Sequence, residues 1–401
     1  MRGAVKGKSI RESMASVYQP LFPAVFDTPA VHESRATCDA CQMCDHGTVP
    51  PELSASYFHK NTKCCTYYPA LPNYLVGAVL ADERAELDDG KRRIRGEIAR
   101  RLGVHPQRLQ PSKKWTLLYR NAMETSFGRS LLLRCPYMDE KDRCSIWYHR
   151  ESICTTFYCK FDNGMAGSIF WKALKGYLAV VEDTLSKWAA KQVSSEVRDP
   201  RENDTPNLTL AEFEDRPLDD ATHKRTWGSW AGREEEFYVE CNKRVRELTR
   251  AQFEKIVDAT SLGKERLEAL QKAVEAVRAA PTLPVRASLN KRLRVLPVEG
   301  GVVLTTPYNN YDSIKIEPEL FDVLKKFTHT ETVAETRAKL EKEEGIELED
   351  ALISMFAMHD ILVAPPKGGV CDVTQGPVTT LAMGRRCKKD LSGVREIELH
   401  R

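Results

Sequence analysis

Apolar residues recur at helical spacing over 169–188. Ile169, Phe170, Ala173, Leu174, Tyr177, Leu178, Val181, Leu185 and Trp188 fall on one stripe, the pattern of a helix that docks on a core. The same period predicts helices near 84–102, 233–249 and 264–279, the last stopped by Pro281 and Pro284. Two shorter runs, 115–119 and 130–134, read as β-like. Further on, 294–297 and 301–306 are apolar or β-branched runs joined by Glu299-Gly300-Gly301, a hairpin signal. Helices are predicted at 318–327, 333–344 and 348–358, and 361–364 resembles a closing strand.

These elements predict an α+β, mainly helical chain in five stretches. Residues 1–37 form a lead-in whose Pro20, Pro23 and Pro29 break any helix, so it is expected to wrap over the surface of the first domain. Residues 38–193 hold nine of the twelve cysteines together with the docking helix. A polar stretch, 194–206, separates them from a helical connecting region at 207–280, and the prolines before Arg286 offer a second boundary. Residues 286–365 combine strands and three helices into a small winged-helix-like module. The tail, 366–401, is rich in Gly, Lys and Arg and is expected to be mobile.

Composition narrows the function classes. The 401 residues are 42% apolar and 29% charged, as in ordinary globular proteins. The 60 basic and 57 acidic residues are interspersed without a basic arm, so neither nucleic acid nor an acidic membrane surface is an expected partner. The first 17 residues carry no apolar stretch behind their basic residues, and the longest apolar run, 74–81, is too short for a bilayer. A soluble cytoplasmic protein is expected.

Nine of the twelve cysteines fall between positions 38 and 159: Cys38, Cys41, Cys44, Cys64, Cys65, Cys135, Cys144, Cys154 and Cys159. In a reducing compartment such crowding favours metal ligation over a disulfide framework. Thiolates two residues apart can meet one centre on a tight turn. Cys38-x2-Cys41-x2-Cys44 has the spacing with which a ferredoxin-like loop caps three irons, and Cys135, followed by Pro136, is a candidate fourth ligand. Four thiolates suffice for one zinc or one four-iron cluster, so nine can serve two centres. Adjacent Cys64 and Cys65 would then diverge toward different centres, or else pair one ligand with one core thiol. An all-thiolate supply favours an iron-sulfur cluster, expected as 4Fe-4S, or zinc over hard cations.

Histidine can replace cysteine at zinc, which makes His46, His59 and His149 further candidates, each without a cysteine partner at ligand spacing. Cys241 lies inside a predicted helix, and Cys371 and Cys387 lie in the tail. They read as bystanders, with a redox role open to the two tail thiols.

The run Lys63-Cys64-Cys65, then Cys135-Pro136-Tyr137, Arg143-Cys144-Ser145-Ile146-Trp147, Arg150, Cys154 and Cys159 resembles the YkgJ-like family of zinc- or iron-chelating cysteine-cluster proteins. Members of that family open with C-x2-C-x2-CC and place later cysteines around a "grCsiY…R…C" segment. The resemblance covers 38–161, with nineteen residues standing between Cys44 and Cys64. It implies metal binding by these cysteines, most directly as an iron-sulfur centre, in a cytoplasmic protein. It does not carry over a methylase activity, because the chain has no glycine-rich S-adenosylmethionine fingerprint and no Cys-x3-Cys-x2-Cys radical triplet. Arg150 is placed either to balance thiolate charge or in a surface ion pair. Residues 293–363 resemble a PqqD-like peptide-recognition module, which implies capture of a peptide by strand addition.

Three readings remain open. The first is an iron-sulfur component for electron transfer or for protein or peptide modification. The second is a non-catalytic zinc protein whose metal holds a loop-rich domain together. The third is a redox or metal sensor. No Ser-His-acid set, phosphate-cradling glycine loop or H-E-x-x-H motif supports a hydrolase or a nucleotide enzyme.

Overall fold

A computed structural model describes residues 8–44, 57–198 and 208–365. His46, the end of the polar linker, Cys371, Cys387 and the tail lie outside the described residues. The chain starts with α1 (Ile10–Ser13), closed by a Ser9–Glu12 capping box. The lead-in does not lie on the surface. Val17, Tyr18, Leu21, Phe22 and Phe26 are all buried in the main core, with Phe22 4.1 Å from Phe26 and 5.9 Å from Tyr177 by ring centroid. Its prolines forbid a long helix, but apolar side chains gain roughly 1.5–3 kcal/mol each on burial whatever the backbone does.

Next come β1 (Leu71–Pro72), α2 (Asn73–Ala81), α3 (Asp88–Arg100), β2 (Val104–His105) and β3 (Arg108–Leu109), the strands forming a small antiparallel sheet ordered β1-β3-β2. The apolar run 74–81 is helix α2, buried on nearly every side. Its first residue, Asn73, donates to the carbonyls of Pro106 and Ser186, both at 2.9 Å.

Two β-like readings are corrected here. Residues 115–119 lie in helix α4 (Lys113–Ser126), and 131–133 form a 3₁₀ turn. Trp115, Thr116 and Tyr119 favour strands by propensity, but Ser112 caps the helix by accepting from the Trp115 amide at 3.2 Å. One turn apart, Trp115 and Tyr119 then stack at 5.0 Å.

After α5 (Ser152–Thr156), the predicted docking helix is α6 (Gly164–Val193), thirty residues through the middle of the molecule. Its stripe is buried from Phe170 to Leu185, apart from half-buried Ala173, while Ile169 is exposed. α7 (Leu210–Phe213), α8 (Asp220–Trp227), α9 (Glu234–Arg246), α10 (Arg250–Phe253) and α11 (Ser261–Arg278) come after it. α6 packs against α5, α9 and α11, and α2 against α9. Among the described residues no helix is long and apolar enough to cross a membrane.

The last part comprises β4 (Ser288–Leu289), β5 (Arg294–Val298), β6 (Gly301–Thr305), β7 (Ser313–Ile316), α12 (Pro318–Lys325), α13 (Val333–Glu344), α14 (Asp350–Met358) and β8 (Leu362–Val363). The predicted hairpin is present as β5–β6, and β7, which carried no sequence signal, extends it to an antiparallel sheet ordered β5-β6-β7. β4 pairs with β8. Val302, Leu304, Val323, Leu324, Phe327, Leu340, Ile353 and Phe356 give this part its own core. It presses closely on the rest: a Cβ on Gly164, whose φ is +52°, would stand 2.2 Å from the Met358 carbonyl oxygen, so only glycine fits that contact.

Candidate metal centre

Five segments bring the nine cysteines together. In the first, a turn is closed by the Cys44 amide donating to the Cys41 carbonyl at 3.1 Å, and Cys44 bridges to Phe58. In the second, the amides of Lys63 and Cys65 donate to the carbonyls of His59 and Thr62 at 2.8 Å each. Lys63 has a left-handed φ of 49° just before Cys64, a costly conformation for a residue with a Cβ.

This second turn is tied to the end of α4 by Gly128. The Gly128 carbonyl accepts from the His59 amide and the Thr62 hydroxyl, and its amide donates to Thr66 Oγ1, all at 2.7 Å. Gly128 has φ +72°, and a Cβ there would meet the Phe58 ring at 2.1 Å.

The third segment joins the second directly, because the Cys135 amide donates to the Cys65 carbonyl at 2.8 Å. A loop closed by Asp139–Arg143 and Ser145–Tyr137 backbone bonds, and by a Met138–Cys144 bridge, carries Cys144 back beside it. The fourth, α5, is capped by buried Glu151, whose two oxygens accept from the amides of Ile153 at 2.7 Å and Cys154 at 2.8 Å. Ser152 links that cap to Glu182 on α6 at 2.7 Å. The fifth holds Cys159.

The electrostatics outline two neighbourhoods of thiols, joined by the hydrogen bond between Cys64 and Cys65. Burial and the neighbouring Cys41 push Cys44 and Cys159 each up to about 12. Cys64 is raised by its hydrogen bond to Cys65 and by burial, with Cys159 adding repulsion. In the other group burial lifts Cys135, with Cys65 and Cys144 adding to it, and lifts Cys154, with Glu151, Cys135 and Cys144 adding. Burial also takes Cys144 to about 11 against the pull of Arg150. Cys65 moves the other way, to about 7, because Cys64 donates to it and Arg150, Lys63 and Arg134 favour its thiolate. Cys38, partly open to solvent, lies within reach of members of both groups.

Apolar packing separates six of the nine along the same line, with Cys38, Cys65 and Cys154 in neither cluster. Cys41, Cys44, Cys64 and Cys159 belong to a small cluster with Met43, Phe58, Phe127 and Tyr311, whereas Cys135 and Cys144 pack on the main core. Cys135 thus neighbours Cys65 and Cys144, which Cys38 of the triplet also reaches, while Cys41 and Cys44 pack in the other cluster.

The donor set fits a thiolate-bound metal. All ten described cysteines are thiols, and each of the two groups can present four sulfurs, enough for a four-iron cluster or a tetrahedral zinc. Cations balance the charge such a set acquires. Arg150 lies 3.6 Å over the Trp147 ring and donates to the Cys154 carbonyl at 2.9 Å, while Arg134 donates to Asp142 at 2.8 Å. The Nε atoms of Arg134 and Arg150 are buried without a hydrogen-bond partner, a state that an acceptor nearby would relieve. Among the described residues no three His, Cys, Asp or Glu side chains already stand in the geometry of a metal-ion site. The thiols are gathered, and a metal would have to draw them in.

Neither described histidine candidate is turned to the sulfurs by a hydrogen bond. His149 is buried against Asp82 at 2.8 Å, and His59 accepts from the Asn61 amide at 3.2 Å. Cys241 is buried among the core residues of α9.

Several residues of the site had no place in the sequence reading. Arg134 did carry a signal, since a basic residue directly precedes Cys64, Cys135 and Cys144 alike. Asn309 and Tyr311 carried none. They come from the turn between β6 and β7, where Asn309 Nδ2 donates to the Cys159 carbonyl at 3.1 Å and Tyr311 meets Phe58 at 5.2 Å and Phe127 at 5.7 Å. Comparison with protein-family models, with curated proteins and with solved structures finds no match to the chain.

Proposed function

We propose that this is a metalloprotein of the cysteine-cluster type holding two thiolate-bound centres, iron-sulfur in kind, and that it serves electron transfer or the modification of a protein or peptide. One observation carries the reading. Nine thiols from five segments converge, and the adjacent, hydrogen-bonded pair Cys64 and Cys65 joins two neighbourhoods, Cys64 packing with Cys41, Cys44 and Cys159 while Cys65 acts on Cys135 and Cys144. One group would use Cys41, Cys44, Cys64 and Cys159, the other Cys65, Cys135, Cys144 and Cys154, with Cys38 beside both. A bound cluster would supply one-electron chemistry. The chain itself would exclude water with Phe58, Phe127 and the core, balance thiolate charge with Arg150, Lys63 and Arg134, and release protons as the thiols bind metal.

The sheet β5-β6-β7 supports a role for the C-terminal part in holding a peptide, as the PqqD-like pattern implies. Both of its outer strands lack a partner in that sheet. Pro297 removes a donor from β5, which leaves β7 the better edge for an added strand. A reducing, cytoplasmic setting is part of the proposal, because clustered free thiols need it.

The second reading, a structural zinc protein, is favoured by the scarcity of regular structure around the ligands. Between Cys38 and Cys44, and between Tyr57 and Thr66, there is no helix or strand, and such loops can depend on metal for their fold. Anaerobic purification with iron, sulfide and zinc analysis and an absorption spectrum separates the two. Visible charge-transfer bands with acid-labile sulfide are expected. A colourless protein with stoichiometric zinc and no sulfide would sink the iron-sulfur reading.

A further inference from the structure

We infer that the C-terminal module is the shield of one thiol group only, that of Cys41, Cys44, Cys64 and Cys159, and that Tyr311 is the ring that seals it. The inference rests on the two-group reading above and adds which group is covered, by what, and from where.

The packing around that group is a small apolar core of its own. Phe58, Phe127, Phe157 and Tyr311 come from four separate segments and meet ring to ring at 5.2–6.4 Å. Phe157 is 36% exposed, so this aromatic cover is thin on its outer side. Tyr311 touches three of the four rings, and it is the one member of the cluster that lies beyond residue 161. No member of the second group belongs to that cluster. Cys135 and Cys144 pack on the main core, beside Tyr137 and Ile146.

Tyr311 is held from both sides. Its amide donates to Asn309 Oδ1 at 3.0 Å while Asn309 Nδ2 reaches the Cys159 carbonyl. One residue on, fully buried Asp312 accepts from the Tyr308 hydroxyl at 2.9 Å and the Phe161 amide at 3.3 Å, and pairs with Arg35 at 3.4 Å. The Tyr308 hydroxyl also meets His359 Nδ1 at 2.8 Å, which ties the turn back into the module. A ring fixed this firmly at a metal-side aromatic cluster acts by excluding water and solutes from the sulfurs.

The test is anaerobic release of metal to excess chelator from the full-length protein, read for wild type, Tyr311→Phe and Tyr311→Ala. Two phases are expected in the wild type. Tyr311→Ala should speed one phase by about tenfold through the lost ring contacts and leave the other unchanged, while Tyr311→Phe behaves as wild type. Equal acceleration of both phases, or of neither, overturns the shield. Iodoacetamide labelling of the metal-free, reduced protein, read by mass spectrometry, decides the same point without metal. Cys64 and Cys159 should label faster in Tyr311→Ala, with Cys135 and Cys154 unmoved; the same rates at all four overturn it. A protein that binds no metal but shows this labelling pattern keeps the shield and loses the metal reading. If Cys241 also becomes reactive the variant has unfolded, and Asn309→Ala, which frees the turn from Cys159, then decides by the same comparison.

Discussion

Glu33 makes the protein less stable as pH rises toward neutrality, by an amount the structure allows us to work out. Its side chain is buried at the base of the segment leading to Cys38, where it accepts from the Trp171 indole at 2.7 Å and from the Asp162 amide. Burial, with smaller contributions from the charges of Asp162 and Asp312, raises it from an ordinary value near 4.5 to about 7, against the pull of its two hydrogen-bond donors. The native state therefore keeps a proton that the unfolded chain gives up. Stability from this group is whole below about pH 4.5 and is lost as pH climbs through 7. At about 1.4 kcal/mol per unit, the loss between pH 5 and pH 8 comes to roughly 2–3 kcal/mol. Glu33→Gln keeps an acceptor and cannot ionise. Urea unfolding at pH 5 and pH 8 should show the wild type losing that much more than the variant. Parallel pH profiles for the two would refute the reasoning.

Other expectations come from the same contacts. Cys135→Ser or Cys154→Ser should lower metal content and thermal stability together, while Cys241→Ser leaves metal content unchanged; equal metal in all three would overturn the ligand assignment. Asp312→Ala leaves the Phe161 amide without its acceptor, removes one of the two partners of the Tyr308 hydroxyl and strips Arg35 of a buried carboxylate, so about 3 kcal/mol of stability should be lost in urea unfolding, with Asp312→Asn losing clearly less. Gly128→Ala forces a side chain into a left-handed position against the Phe58 ring, and should destabilise by about 1–3 kcal/mol and speed amide exchange across 58–66.

Much of the helical framework is legible in the sequence because one face of each helix is wet. α6, α9, α11 and the three helices of the C-terminal part all show such a face. α2 escapes recognition as a helix because it is buried nearly all round, which erases periodicity. The β-like character of 115–119 reflects side-chain propensity, and the cap at Ser112 settles the matter locally. The prolines of the lead-in point to the surface, although Tyr18, Phe22 and Phe26 signal the burial that is found. At the site, cysteine spacing names the segments. Their division into two groups depends on the Cys135 to Cys65 backbone bond and on Tyr311, contacts spanning 70 and nearly 250 residues that no local pattern encodes.

The doublet Cys64-Cys65 makes one turn of backbone common to both thiol groups. Fixing residues 59–66 costs roughly 1–2 kcal/mol of conformational entropy per residue, and on the proposed two-centre reading that ordering would be needed once for both. Filling either group should therefore prepare the other, so that metal uptake favours empty and fully loaded chains over half-loaded ones. Cooperativity would then reside in a single peptide bond between neighbouring thiols.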